Sequence, residues 1–178
     1  FFFSFYSVKL IDVSGSKSVQ GELTSLKGIE LFKSLTTLKC SYNKIQKLDL
    51  TSNTDLVELD CEFNEKLNEI KVSGLTKLES LSFGHCSHLN QIDLSSCVAL
   101  KRLSFPDSGL DKLDVSMCPN LYYIDAYYNF LEYIDISKNT KVTTLSVLGN
   151  PGSGDEHDRI FTIYVWSGFD VNFPPAGF

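Results

Sequence analysis

The feature of this sequence that most limits its fold is an internal repeat. An aliphatic residue opens a new unit every 10 or 11 residues, in eleven consecutive units. The opening residues are Leu35, Ile45, Leu56, Leu67, Leu78, Leu89, Leu100, Leu110, Leu121, Leu131 and Val142. A period this regular is typical of a solenoid, in which each repeat buries its apolar side only against its neighbours.

Two types of unit alternate, so the full repeat spans 21 or 22 residues. First-type units such as LTTLKCSYN (35–43) read Leu-x-x-Leu-x-apolar-x-x-Asn. Second-type units such as LNQIDLSSC (89–97) place Asp at position 5 and Ser or Thr at position 7, counted from the opening residue. Positions 1, 4 and 6 are predicted to point inward and positions 3 and 5 outward, which is the two-residue period of a strand.

Polar residues recur at fixed positions of both unit types. Position 9 of the first type holds Asn43, Asn64, Asn129 and Asn150, and we expect these side chains to bond the backbone of the turns. Cys86 and Ser108 occupy the same position, where we expect less well satisfied turns. The second-type acids are Asp49, Asp93, Asp114 and Asp135. They favour local turns, although an acidic stripe for a cation or a basic partner is the alternative.

This motif resembles the leucine-rich repeat. The period of 21 to 22 residues, with Cys40 and Cys61 at position 6, resembles the cysteine-ladder internalins and the secreted leucine-rich repeat proteins of gut-dwelling anaerobic bacteria. The resemblance covers roughly residues 23–166. It implies a leucine-rich repeat solenoid of about six repeats, with a parallel sheet on the concave side and few or no convex helices. It also implies an extracellular or cell-surface location.

Three regions are predicted along the chain. Residues 1–34 form an N-terminal cap and lead-in segment, residues 35–150 form the repeats, and residues 151–178 form a C-terminal capping loop and strand. VKLIDVSGS (8–16) imitates a degenerate second-type unit, and RIFTIYVW (159–166) alternates like a terminal strand that covers the last coil.

Charge and hydropathy exclude several classes of function. The net charge of −6 argues against nucleic acid, whose binding needs a basic surface. No run of about 18 apolar residues predicts a transmembrane helix. The apolar start FFFSFYSVKL lacks the basic region and the cleavage site of a signal peptide. We expect a monomer.

The cysteines and histidines carry no strong signal for chemistry. Cys40 and Cys61 are 21 residues apart, as are Cys97 and Cys118. Stacked coils bring such pairs within disulfide range, but parallel side chains lack the crossed geometry, so buried thiols are favoured and bridges stay open. The stretch HCSH (85–88) lacks a second ligand pair at structural-zinc spacing. We expect no metal, no cofactor and no catalytic residues, since no catalytic motif is present.

The candidate ligand site lies on the concave face, at the outward positions of the first-type units. Aromatic residues concentrate in the fifth repeat, LYYIDAYYNFLEY (121–133), and exposed tyrosines are enriched at recognition surfaces. The candidate residues are Tyr42, Asp60, Phe63, Arg102, Tyr123, Asp125, Tyr127 and Tyr128. Packing of some tyrosines on the convex side or on the cap is the alternative.

The sequence therefore predicts a non-enzymatic binding module on a bacterial surface that recognises a protein or a glycan. This rests on analogy of fold. The alternative is a structural or adhesive spacer domain of a larger surface protein.

Overall fold

The chain folds into a stack of short parallel strands joined by turns, seen in a computed structural model that describes residues 7–151 and 161–168. Every strand is three residues long. The strands are β1 (Leu10–Asp12), β2 (Thr37–Lys39), β3 (Lys47–Asp49), β4 (Glu58–Asp60), β5 (Glu69–Lys71), β6 (Ser80–Ser82), β7 (Arg102–Ser104), β8 (Tyr123–Asp125), β9 (Tyr133–Asp135), β10 (Thr144–Ser146) and β11 (Thr162–Tyr164).

Seven strands form one parallel sheet, here called the main sheet, in the order β1-β2-β4-β6-β7-β8-β10. Each first-type unit contributes its positions 3 to 5, and equivalent residues pair directly, as Leu38 does with Leu59. Because the register follows the repeat, every outward position forms a column along the sheet. The predicted solenoid of about six leucine-rich repeats with a parallel sheet is confirmed.

The second-type units make a broken layer. Strands β3 and β5 pair with each other, and β9 pairs with β11, while residues 91–93 and 112–114 form no strand. Within residues 8–151 and 161–168, the one helical element is a single 3-10 turn at Ile29–Leu31. The prediction of few or no convex helices is confirmed, because the short period leaves no residues for one.

The core is a set of apolar columns. Positions 1, 4 and 6 of the first-type units are buried, from Leu35, Leu38 and Cys40 to Leu145 and Val147, except that Val142 is partly buried. Two rings, Phe83 and Phe105, stack in the position-6 column at a centroid distance of 5.4 Å. The predicted inward and outward positions are therefore confirmed.

The asparagine ladder is present, with bonds both within a coil and between coils. The Asn64 Nδ2 group donates to Cys61 O (2.9 Å) and to Cys40 O of the preceding coil (3.0 Å). Its Oδ1 accepts the N–H of Ile45 at 3.0 Å. The same arrangement recurs at Asn129 and Asn150.

The expectation of poorly satisfied turns at Cys86 and Ser108 is wrong. The Ser108 hydroxyl donates to Phe83 O at 2.9 Å and so replaces the bond between coils. The second-type units that open at Leu67 and Leu89 begin one residue later than the other second-type units. The N–H groups of Leu67 and Leu89 bond within the preceding turn, to Asn64 O and Cys86 O. The extra residue thus lengthens the turn so that the backbone carbonyl at position 9 accepts this bond, which an asparagine side chain accepts elsewhere.

The second-type acids form local turns, as the favoured reading predicted. The Asp93, Asp114 and Asp135 carboxylates each accept the N–H of the serine two residues later at 2.9 Å. Bonds from the serine hydroxyl and N–H hold the pKa of these carboxyls below the ordinary value, because they stabilise the charged form.

The ends differ from the prediction in one respect. Strand β1 pairs with β2 in the main sheet, Ile11 opposite Leu38, so the N-terminal segment is a first-type and not a second-type strand. Strand β11 pairs with β9 and so extends the second-type layer. The three-region division stays a prediction, and much of 151–178, together with residues 1–6, lies outside the described residues.

Candidate ligand-binding surface

The candidate surface consists of the outward face of the main sheet and the turn that follows each of its strands. Outward side chains at positions 3 and 5 are mostly half-buried, because neighbouring coils flank each of them. At position 8 the chain turns away from the sheet. The residues there, which we call the rim column, are Tyr42, Phe63, His85, Asp107, Tyr128 and Gly149.

All residues of the rim column have left-handed backbone conformations. Their φ angles run from 50° at Tyr128 to 58° at His85, with 77° at Gly149. This conformation costs a residue with a side chain about 1–2 kcal/mol, and it suits glycine. Five of the six positions nevertheless carry larger side chains, so these residues are not explained by the turn alone.

Three rings of the rim column form a continuous stack. The Tyr42 and Phe63 centroids are 4.2 Å apart with an interplanar angle of 9°, and Phe63 and His85 are 4.2 Å apart at 19°. These rings are about 20 residues apart in sequence, and they meet because parallel strands stack equivalent positions of neighbouring coils. The stack presents ring edges to solvent, and each ring covers the face of the next.

At the next position of the column, Asp107 takes the place of a ring and contacts the last ring of the stack through a hydrogen bond. His85 Nδ1 lies 3.3 Å from Asp107 Oδ2. His85 is absent from the residues predicted from sequence, although it shares position 8 with Tyr42 and Phe63. Its aromatic ring at that position was the signal that could have identified it.

An acidic group occupies the main-sheet face beside the stack. The Asp60 carboxylate accepts bonds from the Ser41 hydroxyl and, at 3.4 Å, from the Glu62 N–H. The pKa of the Glu62 carboxyl is raised, first by its partial burial and then by the charges of Asp60 and Asp125. Glu62 is a second residue that the sequence prediction missed.

Arg102 and Tyr123 form a cation–π pair in adjacent strands. The Arg102 guanidinium carbon lies 4.3 Å from the Tyr123 ring centroid and 5.9 Å from that of Tyr122. Burial raises the pKa of the Tyr123 hydroxyl, and the Asp125 carboxylate raises it further. The face of Tyr123 is therefore already covered by a cation.

The fifth repeat contributes an exposed aromatic corner. Tyr127 and Tyr128 meet edge to face at 4.2 Å, and Tyr128 is 56% exposed. Tyr133, in contrast, lies in the second-type layer against Tyr164 at 5.8 Å. The tyrosine cluster of the sequence is thus divided between two faces, and only part of it lies with the candidate site.

The structure brings six of the eight predicted residues into three contacts. Tyr42 and Phe63 join the ring stack, Arg102 pairs with Tyr123, and Tyr127 pairs with Tyr128. Asp60 and Asp125 both act on Glu62. That these residues bind a ligand remains a proposal.

The cysteines take no part in this surface. All five are free, fully buried thiols. Burial raises the pKa of Cys86 and Cys97 to about 12 and that of Cys118 to about 11, and it raises those of Cys40 and Cys61 still further.

We therefore expect no cysteine to react with iodoacetamide in the folded protein at about pH 8, because the thiolate is the reactive form. In concentrated urea all five should react, which mass spectrometry can count. Thiols that stay unreactive in urea until a reductant is added would instead reveal disulfides.

The histidines near Cys86 are engaged separately. His88 Nδ1 lies 2.6 Å from Glu65 O, whereas His85 faces Asp107. Among residues 7–151 and 161–168, no three His, Cys, Asp or Glu side chains are grouped to hold a metal ion. None of the helices in this part of the chain is long and apolar enough to cross a membrane.

The register, the apolar columns and the asparagine ladder define a leucine-rich repeat solenoid. Its structure is similar to those of internalins from Listeria monocytogenes. Internalin C2 (inlC2) of strain 4b F2365 has a TM-score of 0.54 at 18% identity, over 86% of this chain and 62% of that one. The internalin inlF of that strain has a TM-score of 0.51 at 20% identity, over 90% of this chain and 55% of that one.

A third solved structure, the functional domain of InlJ from the same species, which includes a cysteine ladder, has a TM-score of 0.43 at 22% identity. It covers 78% of this chain and 46% of that one. The chain therefore spans about half of the length of these structures. No family model and no curated protein sequence matches it. At these identities the similarity shows the fold alone.

Proposed function

We propose that this chain is a non-enzymatic binding domain that recognises a protein through its main-sheet face and rim column. The observation that carries the proposal is the row of large side chains held in left-handed turns from Tyr42 to Tyr128. Glycine would relieve the backbone at each of these positions. Aromatic side chains at these positions lower the stability of the fold. Their presence is consistent with a recognition surface, because rigid aromatic side chains contribute much of the binding energy at interfaces.

Occupancy of the ring faces favours a protein over a glycan. A sugar ring would stack on a free aromatic face, but Phe63 lies between Tyr42 and His85, and Arg102 lies over Tyr123. Ring edges, hydroxyl groups and the acidic group of Asp60, Glu62 and Asp125 remain for the ligand. These fit a protein surface that carries basic side chains, and the net charge of −6 supports the same partner.

We further propose that the domain acts outside the cell or at a cell surface, as a monomer and without a cofactor. The location rests on the resemblance to internalin-like and secreted leucine-rich repeat proteins. The absence of catalysis is supported by the thiols, which are buried and held protonated.

The test is a binding screen of the domain against purified extracellular proteins and a glycan array. We expect a saturable protein ligand whose affinity falls at least tenfold in a Tyr123→Ala, Tyr127→Ala double variant, because truncating buried anchors at an interface costs about 2 kcal/mol or more.

A matched control is available in the second-type layer. Tyr133 and Tyr164 are also exposed and in contact, and their double alanine variant should bind the ligand unchanged. A ligand that is a glycan would correct the partner class. A domain that binds nothing on either panel would favour the spacer role and contradict the proposal.

A further inference from the structure

The rim column is interrupted at the fourth repeat. Asp107 stands where its neighbours carry rings, and Gly109 follows two residues later. Together they leave an open cavity of about 530 Å³, which we call the rim notch, lined by Asp107 and Gly109 and by Ser87, Tyr128 and Phe130 of the adjacent repeats. The small side chains of this single repeat are the reason that the notch exists.

The walls of the rim notch are aromatic. Tyr128 and Phe130 line it from the fifth repeat and are 56% and 65% exposed. The Tyr128 ring extends over Gly149, since a Cβ added there would lie 2.3 Å from Tyr128 Cδ1. The Tyr128 ring therefore lies toward Gly149 and away from Asp107. Gly149 has no side chain that would displace the ring.

The dimensions suit one flat group. His85 and Tyr128 are separated by two coil steps, or about 9.5 Å at the spacing of parallel strands. Stacked rings of this column are 4.2 Å apart. Asp107 occupies the coil between these two rings, so one planar group above Asp107 would stack on Tyr128 at the spacing of this column.

The charge of the rim notch selects a cation. One oxygen of the Asp107 carboxylate lies 3.3 Å from His85 Nδ1, and the side chain is 63% exposed. Within the described part of the chain the other oxygen has no hydrogen-bonding partner. A planar cation could bond this oxygen while it stacks on the walls, and a guanidinium group combines both properties, which an ammonium group does not.

The same surface already contains this pairing. Arg102, in the same repeat as Asp107, lies over Tyr123 of the fifth repeat at 4.3 Å. Its guanidinium shows that the face accommodates an arginine against a tyrosine ring.

We propose that the rim notch receives an arginine side chain of the protein partner. The guanidinium bonds Asp107 and stacks on Tyr128, while the exposed Phe130 ring packs on the aliphatic stem. This inference rests on the proposed function for its biological meaning, but the notch itself can be tested without the partner.

The experiment is an NMR titration of the whole chain with N-acetyl-arginine amide. We expect saturable shifts at millimolar probe concentrations, confined to Asp107, His85, Tyr128 and their neighbours. N-acetyl-citrulline amide, which has the same shape without the charge, and N-acetyl-lysine amide should bind about fivefold more weakly or not at all.

An Asp107→Asn variant should lose the arginine response. Asparagine tolerates the left-handed conformation, so the turn is kept. The matched control is Glu65→Gln, which removes one charge from an exposed side chain on the same rim and should leave the response unchanged. Equal shifts with citrulline or lysine, a response that survives in Asp107→Asn, or no localised shifts would each overturn the proposal.

The two proposals fail separately. If a protein ligand is found whose binding depends on Tyr123 and Tyr127 but is indifferent to Asp107→Asn, the notch proposal is wrong and the binding function stands. If the arginine probe binds as expected and no ligand is found, the notch stands as a site and the proposed function is contradicted.

Discussion

Replacing Phe105 with alanine is expected to lower the free energy of unfolding by about 3–5 kcal/mol. The ring is fully buried in the position-6 column, where it stacks on Phe83 at 5.4 Å. Its neighbour on the other side is Ala126, which is too small to fill the space that a second alanine would leave. The loss therefore combines the transfer free energy of the ring with the free energy of a cavity.

Urea unfolding followed by circular dichroism measures this change. The control is Phe130→Ala, the same substitution at a ring that is 65% exposed, and we expect a change within about 0.5 kcal/mol. Equal effects of the two substitutions would show that the position-6 column is not the core of the solenoid.

Replacing Asn64 with alanine is expected to lower the free energy of unfolding by about 1–3 kcal/mol, because the buried N–H of Ile45 loses its partner. The carbonyls of Cys40 and Cys61 each lose one donor. They keep the bonds from Asn43 Nδ2 (3.2 Å) and Cys86 Sγ (3.5 Å). Ile45 opens a short unit that has no local acceptor, so its N–H depends on the next coil.

The fourth repeat suggests a partial rescue. Ser108 occupies the equivalent position and bonds Phe83 O at 2.9 Å, so Asn64→Ser should recover part of the loss. The expected order of stability is asparagine, then serine, then alanine. The control is Asn120→Ala at the surface, where water can replace the bonds to Val98 and Lys141. If serine is no better than alanine, the bond between coils contributes nothing at this position.

Local sequence signals predicted local structure correctly even where they misled about the sheet. VKLIDVSGS imitates the second type at Val8, Ile11, Val13 and Ser16. The turn typical of that type also forms, with the Ser14 N–H 3.0 Å from Asp12 Oδ1. Yet β1 pairs with β2 in the main sheet. The bond is made within three residues, whereas the choice of sheet depends on the coil against which the segment stacks.

The broken second-type layer is a further property that local pattern could not supply. Ile92 and Leu113 stand in units with the same motif as β3 and β9, but they form no strand. The main sheet keeps continuous hydrogen bonding along one side of the solenoid. On the opposite side, strand pairing depends on how closely neighbouring coils approach, which the motif of a single unit does not encode.

By itself the sequence determined the period, the register and the buried columns, because each repeat carries its own apolar and polar pattern. It also determined the asparagine ladder, since buried backbone groups at each turn need a partner. Only the tertiary structure decided the left-handed rim column, the Tyr42–Phe63–His85 stack and the Arg102–Tyr123 pair. These contacts join residues about 20 positions apart, and which side chains meet there depends on coil spacing and on the direction of each turn.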